Sequence, residues 1–346
     1  MKTRQYIFHG SKGVKNLSPI HFGERYLVTE QFWYKMYEDT PNGRITFENE
    51  RERLADVADI PNTAKMTDAG DISVGAHDKL VTMLAIEMPF YKGKGLDVIF
   101  RSSNPDHLKL EELFTMANDM LTALSKMERK GIIHNDIQPR NIIRTKNGGY
   151  LLLDFGNSVQ VGEEPDERFI KGTPGYVAEE KKLGKVSVKG DVYSFGKILS
   201  DFIHHGEQLG VSYPPDLERI IRKCTEETEP EERYSKFEDL AVAFSSMERK
   251  LNEQVNKKAK KQIKIHTKGV GRIINRNKWR YSACGWLSGI FNTLSAVILA
   301  AAIIIGGLGT YIMLREDDGT EVLVNGRPSI LNDCRVVMHD YKNNTK

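Results

Sequence analysis

The sequence has few cysteines and lacks the spacing that would make them metal ligands. Its three cysteines, Cys224, Cys284 and Cys334, lie far apart, and none belongs to a Cys-x-x-Cys pair. This pattern excludes a zinc-finger site and a disulfide-rich secreted scaffold. We therefore expect the main domain to fold in a reducing compartment.

The N-terminus lacks an apolar run, whereas a region near the C-terminus lacks charge. Residues 1–15 contain charges but no apolar core of signal-peptide length, so a cleaved leader is not expected. Residues 286–314 contain no charged side chain. Their densest apolar part, 294–314, has the length of ~20 residues that a spanning helix requires. The sequence therefore predicts one transmembrane helix over residues 287–314.

Acidic residues are absent from the stretch that precedes this span. Residues 256–280 contain ten Lys or Arg residues, so the formal net charge of +3 leaves the rest of the chain at −7. Basic residues beside an anionic leaflet contribute about 1 kcal/mol each, and they mark the cytosolic side of a span. We expect residues 257–280 to bind anionic lipids rather than nucleic acid, and the N-terminal domain to be cytosolic.

These features divide the chain into four parts. A folded domain over 1–251 is followed by a basic juxtamembrane connector over 252–286, the span, and a short extracytoplasmic tail over 315–346. A tail of about 30 residues is too short to build its own core. Ala302 and Gly306 have the spacing that permits close helix packing, which leaves open both a homodimer and a chance pattern.

Within the folded domain, strand-like runs precede mostly helical residues. The predicted strands cover 26–29, 32–37 and 80–87, around a charged helix over 47–58. Between residues 108 and 129, apolar side chains recur at helical spacing, which predicts a buried amphipathic helix. The fold class is therefore expected to be α+β.

Polar residues flank a predicted hairpin in the middle of the domain. The apolar runs 142–144 and 150–153 surround an Asn-Gly-Gly turn. Asp136 and Asn141 lie just before this hairpin, and Asp154 follows it. Phosphoryl transfer requires a carboxylate near the accepting hydroxyl and oxygen ligands for magnesium. The spacing therefore predicts a phosphotransfer site.

The residue order in these loops resembles a known family. Residues 134–141 read HNDIQPRN, and DFG follows at 154–156. The order resembles that of the eukaryotic-type, or Hanks-type, Ser/Thr protein kinases, whose catalytic loop reads HRDxxxxN and whose magnesium loop reads DFG. The resemblance implies ATP and Mg²⁺ as cofactors. It also implies a two-lobed fold with a small β-rich N-lobe and a larger helical C-lobe, here with a C-terminal transmembrane helix.

The resemblance assigns roles to the residues of the two loops. Asp136 would be the catalytic base, in the same loop as His134 and Gln138. Asn141 and Asp154 would hold the magnesium ion.

Later motifs extend the resemblance to the end of the domain. GTPGYVAEE ends at Glu180 and DVYSFG begins at Asp191, and both are similar to segments that follow DFG in protein kinases. They favour a protein substrate, with Ser or Thr rather than Tyr as the acceptor. In the family, Asp191 would bond the backbone of the catalytic loop and Arg233 would pair with Glu180. The residues with structural roles are Phe155, Gly156, Glu180, Asp191 and Arg233.

The nucleotide-binding side departs from the family pattern. No GxGxxG sequence precedes the first predicted helix, and the segments FHGSKG and HFGERY offer only Gly10, Gly13 and Gly23. A glycine loop that cradles phosphates is therefore not predicted, and Gly23 is retained as a single nucleotide contact. The resemblance adds Glu87 and Met88 as further nucleotide contacts.

Lys35 is the one match in this sequence for the family lysine that contacts the nucleotide phosphates. Lys35 lies 15 residues before Glu50 in the sequence, and we predict that the two form the Lys–Glu pair of the family, with Glu52 as the competing partner. Trp33 would then stand where the family has a small alanine against the adenine. Such an indole would narrow the pocket, or it would simply pack within the lobe.

Two further departures lie in the catalytic loop. Asn135 replaces the family arginine that binds an activation-loop phosphate, and Gln138 replaces the lysine that neutralises the transferred phosphate. No Ser, Thr or Tyr lies between Ser158 and Thr173, so we predict activity that does not depend on phosphorylation of this loop. Two functions remain: an active protein kinase, and a pseudokinase that acts as a membrane-tethered binding module.

Overall fold

The computed structural model describes residues 5–76, 79–163, 172–226, 229–257, 312–315 and 321–324. The chain divides into two units, Met1–Glu248 and Arg249–Lys346. The first unit contains every predicted site residue, and its two lobes match the expected α+β class.

A single antiparallel sheet forms the N-terminal lobe. Across the sheet the strands follow the order β2-β1-β6-β7-β5-β4-β3. The Tyr6 ring on β1 lies 5.4 Å from the Phe22 ring on β3, so the sheet curls until its two ends approach each other. Its strands are β1 (Gln5–Gly10), β2 (Gly13–Asn16), β3 (His21–Phe22), β4 (Tyr26–Val28), β5 (Phe32–Tyr37), β6 (Asp68–Ala76) and β7 (Lys79–Pro89).

The inner face of this curled sheet has its own apolar core. Side chains alternate between the two faces of a strand, so Tyr34 and Met36 of β5 point inward while Lys35 and Tyr37 face the cleft between the lobes. The buried core consists of Phe8, Leu27, Tyr34, Met36, Ile72 and Ala85.

The helix α1 (Pro41–Asp56) packs against this sheet and begins six residues before the predicted start. Thr40 caps it, with its Oγ1 accepting a bond from the Gly43 N–H at 3.1 Å, and Pro41 occupies the first turn. The prediction relied on the apolar face, which starts at Phe47, and did not weigh this cap.

The C-terminal lobe is mostly helical, as predicted. The amphipathic pattern over 108–129 corresponds to a helix over Leu110–Arg129, whose apolar side is buried in the lobe. The helices of this lobe are α2 (Leu96–Phe100), α3 (Leu110–Arg129), α4 (Glu179–Lys182), α5 (Val188–Gln208), α6 (Pro215–Cys224) and the part of α7 (237–257) that lies before residue 249.

Short strands position the two loops that carry the predicted chemistry. The predicted hairpin is present as β10 (Ile142–Thr145) and β11 (Tyr150–Leu152), and β8 (Gly93–Gly95) joins its edge. β9 (Ile132–Ile133) pairs with β12 (Val159–Gln160). Because β9 leads into the loop 134–141 and β12 follows the loop 153–158, the two loops lie side by side.

The predicted strands over 26–29, 32–37 and 80–87 correspond to β4, β5 and β7. Seven strands of the first unit were not predicted: β1, β2, β3, β6, β8, β9 and β12. The β6 sequence DAGDISVGA contains two glycines and two aspartates, which disfavour strands intrinsically, and its pairing with both β1 and β7 overrides that preference.

Within the described ranges, no helix has both the length and the apolar character needed to cross a membrane. Most of the predicted span, 287–311, lies outside the described residues, as do residues 258–286 of the basic connector. At its end the structure differs from the prediction, because Ile312–Arg315 is a strand, β13, paired with β14 (Glu321–Val324). The Asp318-Gly319 dipeptide between them is a strong hairpin signal that a hydropathy pattern does not weigh.

Candidate active site

The catalytic loop and the DFG loop both contain strained backbone. Asn135 has φ 67° and Asp154 has φ 62°, a left-handed conformation that costs a residue other than glycine on the order of 1–3 kcal/mol. Such conformations persist where surrounding bonds determine them, and they concentrate at functional sites.

Asp191 on α5 holds the backbone of the catalytic loop. Its buried carboxylate accepts the His134 N–H at 2.7 Å and the Asn135 N–H at 2.9 Å. This is the backbone contact that the resemblance implied, and it holds Asn135 in its left-handed conformation.

A buried ion pair anchors the segment after the activation loop. Arg233 Nη1 lies 2.5 Å from Glu180 Oε1, and Nη2 lies 3.3 Å from Oε2. The guanidinium also lies 4.8 Å from the Tyr193 ring. Because the Arg233 side chain has no exposed area, loss of either partner would leave a buried charge uncompensated.

Neutral donors surround the Asp136 carboxylate. Its Oδ2 accepts bonds from Gln138 Nε2 at 3.0 Å and Asn141 Nδ2 at 3.2 Å, and its Oδ1 accepts the Thr173 hydroxyl at 2.9 Å. Thr173 was not identified from the sequence, where it served only to delimit the loop; its place in GTPGY was the available signal. These bonds orient the carboxylate without neutralising it.

Lys35 on β5 joins α1 to the DFG loop. Its Nζ lies 2.6 Å from Glu50 Oε2 and 2.7 Å from Asp154 Oδ1, whereas the competing Glu52 is exposed beside Arg53. Burial acts to lower the pKa of Lys35, but the two carboxylates raise it above its usual value. Desolvation within the cleft likewise opposes ionisation of Asp154, yet Lys35 holds the pKa of Asp154 below its usual value.

Two further contacts lock α1 against this pair. Tyr37 OH donates to Glu50 Oε2 at 2.5 Å, and Asn49 Nδ2 donates to the Gly156 carbonyl at 3.0 Å. A Cβ on Gly156 would lie 2.9 Å from Glu50 Oε2, so a side chain there would displace the Glu50 carboxylate. Phe155 is fully buried, with its ring 5.1 Å from that of His134.

The donor atoms at Asn141 and Asp154 fit a magnesium ion. Asn141 Nδ2 is committed to the main-chain and side-chain oxygens of Asp136, which leaves Asn141 Oδ1 available. Lys35 binds Asp154 Oδ1, and the Asp154 side chain is 42% exposed. One carboxylate and one amide oxygen are among the ligands that magnesium takes together with phosphates and water. We call these loops, with Asp136, the base-and-metal side.

The opposite wall of the cleft, which we call the roof, consists of β3, β4, β5 and β7. Residues 23–25 form the whole tip between β3 and β4. A Cβ on Gly23 would lie 2.6 Å from the Tyr26 ring, so this glycine makes room for an aromatic side chain. At the other glycine-containing turn, between β1 and β2, Asp68 already accepts the Ser11 and Lys12 N–H groups.

Aromatic side chains occupy the roof beside Lys35. Trp33 lies opposite Val28 and Met88 on the neighbouring strands and therefore on the cleft face. Its ring centroid is 6.3 Å from that of Tyr26, which stacks on His21 at 5.5 Å. The roof therefore carries the large Trp33 side chain where the family has a small alanine.

The two predicted nucleotide contacts on β7 have side chains that point in opposite directions. Met88 lies on the cleft face, whereas Glu87 points into the sheet interior. The Glu87 carboxylate there binds Lys15 Nζ at 2.7 Å and Tyr34 OH at 2.6 Å, and its carbonyl accepts the Thr67 N–H. The Glu87 side chain is thus committed away from a nucleotide.

Comparison with known proteins agrees with this geometry. The family model described as protein kinase domain matches residues 34–264, more than half of the chain. A mitogen-activated protein kinase kinase, mkk2, from Aspergillus fumigatus is 33% identical over 131 residues, which are 37% of this chain and 26% of that protein. A mitogen-activated protein kinase kinase, mkk1, from Cytospora mali is 32% identical over 134 residues, 38% of this chain and 25% of that protein. The chain thus aligns with about a quarter of each relative's length.

Proposed function

The chain belongs to the protein kinase domain family, and from this premise we propose that it transfers the ATP γ-phosphate to Ser or Thr side chains of protein substrates. The observation that carries the proposal is the joint placement of Asp136, Asn141 and Asp154, with Lys35 bonded to Asp154 at 2.7 Å. When bound, ATP with Mg²⁺ supplies the phosphoryl group and the charge that balances it.

Each residue of the site has a distinct task in this proposal. Asp136, oriented by Gln138 and Thr173, accepts a hydrogen bond from the substrate hydroxyl and receives its proton. The oxygen atoms of Asn141 and Asp154 hold the metal ion, and the ammonium of Lys35 faces the nucleotide phosphates. Because Gln138 is neutral, transfer is expected to be slower than with the family lysine.

The test is magnesium-dependent phosphate transfer by the purified full-length chain, measured with labelled ATP and a mixture of protein substrates. Nucleotide binding is measured in parallel by calorimetry, with and without Mg²⁺. Asp154→Asn serves as the control and is expected to lose the magnesium-dependent part of both signals. If the wild-type chain shows neither magnesium-dependent binding nor transfer, the enzyme proposal is wrong.

A second candidate function, a pseudokinase that acts as a binding module, is favoured by the roof. The tip over 23–25 is too short to surround phosphates, and Trp33 faces the cleft. This candidate predicts a folded chain that binds partner proteins but transfers no phosphate, so the transfer assay separates the two functions.

We also propose that the chain is a single-pass membrane protein with its kinase domain on the cytosolic side. The support comes from the sequence: the charge-free run over 287–314 and the basic residues over 257–280, which would bind anionic lipids. Ala302 and Gly306 would allow a homodimer through the span. Alkaline extraction of membranes tests the anchor, with a chain ending at residue 251 as the control. Release of the full-length chain into the supernatant would contradict this proposal.

A further inference from the structure

A buried lysine lies beneath the catalytic loop and has none of the roles described so far. Lys181 is only 7% exposed, although its neighbours Glu179 and Lys182 on α4 pair with each other at the surface. The Lys181 Nζ donates a hydrogen bond to the carbonyl oxygen of Asn135. A buried ammonium is costly unless it is paired, so this position requires a physical explanation.

The accepting carbonyl belongs to the peptide that leads into Asp136. Other bonds already fix the rest of Asn135: its N–H donates to Asp191 at 2.9 Å, and its Nδ2 donates to the Asn157 carbonyl at 2.9 Å. Lys181 binds the carbonyl of this left-handed residue. Lys181 thus holds the peptide between Asn135 and Asp136 through its carbonyl, whereas Asp191 holds the preceding peptide through its N–H.

Carboxylates on two other segments compensate the Lys181 charge. Burial lowers the pKa of Lys181, while Asp191 and Asp136 act in the opposite direction and favour the ammonium form. A Cβ on Gly172 would lie 3.1 Å from Lys181 Nζ, so the ammonium also lies against the GTPGY segment. That segment carries Thr173, which bonds Asp136. One ammonium thus contacts the catalytic loop and the segment that follows the activation loop.

We propose that Lys181 is a positioning residue: it holds the Asn135–Asp136 peptide, and with it the Asp136 carboxylate, without a phosphate on the activation loop. The inference rests on the proposed kinase function. In this chain Asn135 stands where the family has an arginine. The positive charge beside the catalytic loop is instead that of Lys181, which follows the activation loop in the sequence. The loop sequence agrees, because residues 159–172 contain no Ser, Thr or Tyr.

The test compares full-length Lys181→Met, Lys181→Gln and Lys181→Arg with the exposed control Lys182→Met. Lys181→Met is expected to lower kcat about 100-fold, the effect of misplacing a catalytic group by about 1 Å. The KM for ATP should stay within about twofold, because ground-state binding is not altered. Lys181→Arg should recover much of the lost kcat, and Lys182→Met should behave as wild type.

Hydrogen–deuterium exchange supplies a measurement that does not depend on activity. In Lys181→Met, the amides of Asn135 and Asp136 should exchange faster than in the wild type, whereas those of α3 should not. If the wild type transfers no phosphate, the proposed function fails but this measurement still decides: faster exchange supports the positioning role and unchanged exchange overturns it.

Several results would overturn the inference in an active chain. One is a folded Lys181→Met variant with wild-type kcat and exchange; others are an equal loss in Lys182→Met or no recovery in Lys181→Arg. If Lys181→Met does not fold, Lys181→Gln decides, because it keeps a neutral donor: lowered kcat supports the role of the charge, and wild-type kcat contradicts it. If neither variant folds, Lys181 has a structural role alone and the inference is wrong.

Discussion

The two walls of the cleft differ in how closely they follow the family pattern. On the base-and-metal side, Asp136, Asn141 and Asp154 are all present, and each is held by several hydrogen bonds. On the roof, the tip over 23–25 replaces a glycine loop, and Trp33 replaces an alanine. The difference teaches that the groups for chemistry and the groups for nucleotide binding vary separately, so the roof should limit ATP binding rather than the transfer step.

Removal of the catalytic base should have the largest effect. Asp136→Asn is expected to lower kcat about 1000-fold, because a general base contributes 10²–10⁴-fold and the amide accepts a proton poorly. Single-turnover kinetics measures this loss. Asp106→Asn, at an exposed position, is the matched control, and wild-type turnover in Asp136→Asn would mean that the base-and-metal side is idle.

Loss of the cation between the two walls should come next. Lys35→Met removes a charge that contacts Glu50 and Asp154, so kcat/KM is expected to fall about 100-fold. The free energy of unfolding should fall by about 3 kcal/mol, since Glu50 is left buried without its partner. Steady-state kinetics and urea unfolding measure the two effects. Lys94→Met, on an exposed strand position, should change neither.

A smaller effect of opposite sign is expected at the roof. Trp33→Ala opens space on the cleft face, so the KM for ATP should decrease roughly 10-fold, with kcat little changed. Trp33→Phe should fall between the two. If Trp33→Ala instead weakens ATP binding, the indole contacts the nucleotide directly, and the roof is a specialised binding surface.

The smallest effect is expected at Tyr37. Tyr37→Phe removes one hydrogen bond to Glu50, worth about 1 kcal/mol, and should lower kcat/KM roughly fivefold. Tyr150→Phe removes a bond from another buried phenol, to Glu112 at 3.0 Å, and should affect stability without affecting kcat/KM. Equal kinetic effects in the two variants would show that Tyr37 does not act through Glu50.

The sequence separation between two residues decided whether their contact could be predicted. Asp136, Asn141 and Asp154 lie around one hairpin, so their proximity followed from local patterns. The pairing of Lys35 with Glu50 remained open between two acids, because the sequence spacing alone did not fix the face of α1. Lys181 approaches Asn135 across 46 residues, and that contact depends on how α4 packs against the lobe.

The prediction of strands failed at β1, β2 and β6, because β1 and β6 pair with each other although they lie far apart in the sequence. The β1–β2 hairpin and β6 contain glycine and aspartate at positions where propensity disfavours strands. Asp68 is there because its carboxylate accepts bonds from the Ser11 and Lys12 N–H groups and the Ser11 hydroxyl. A residue that disfavours a strand locally thus stabilises the turn of a neighbouring hairpin.

The curled sheet of the N-terminal lobe places its apolar core and its cleft residues on opposite faces. Its apolar core, which includes Phe8, Tyr34 and Ile72, lies on the inner face, whereas Trp33, Lys35 and Met88 lie on the face toward the cleft. Successive residues of β5 thus serve two purposes, and Lys35 links them because it also compensates the buried Glu50. Cleft residues such as Trp33 can therefore be substituted while the apolar core is retained. The lobe can acquire a new ligand specificity in this way without a change of fold.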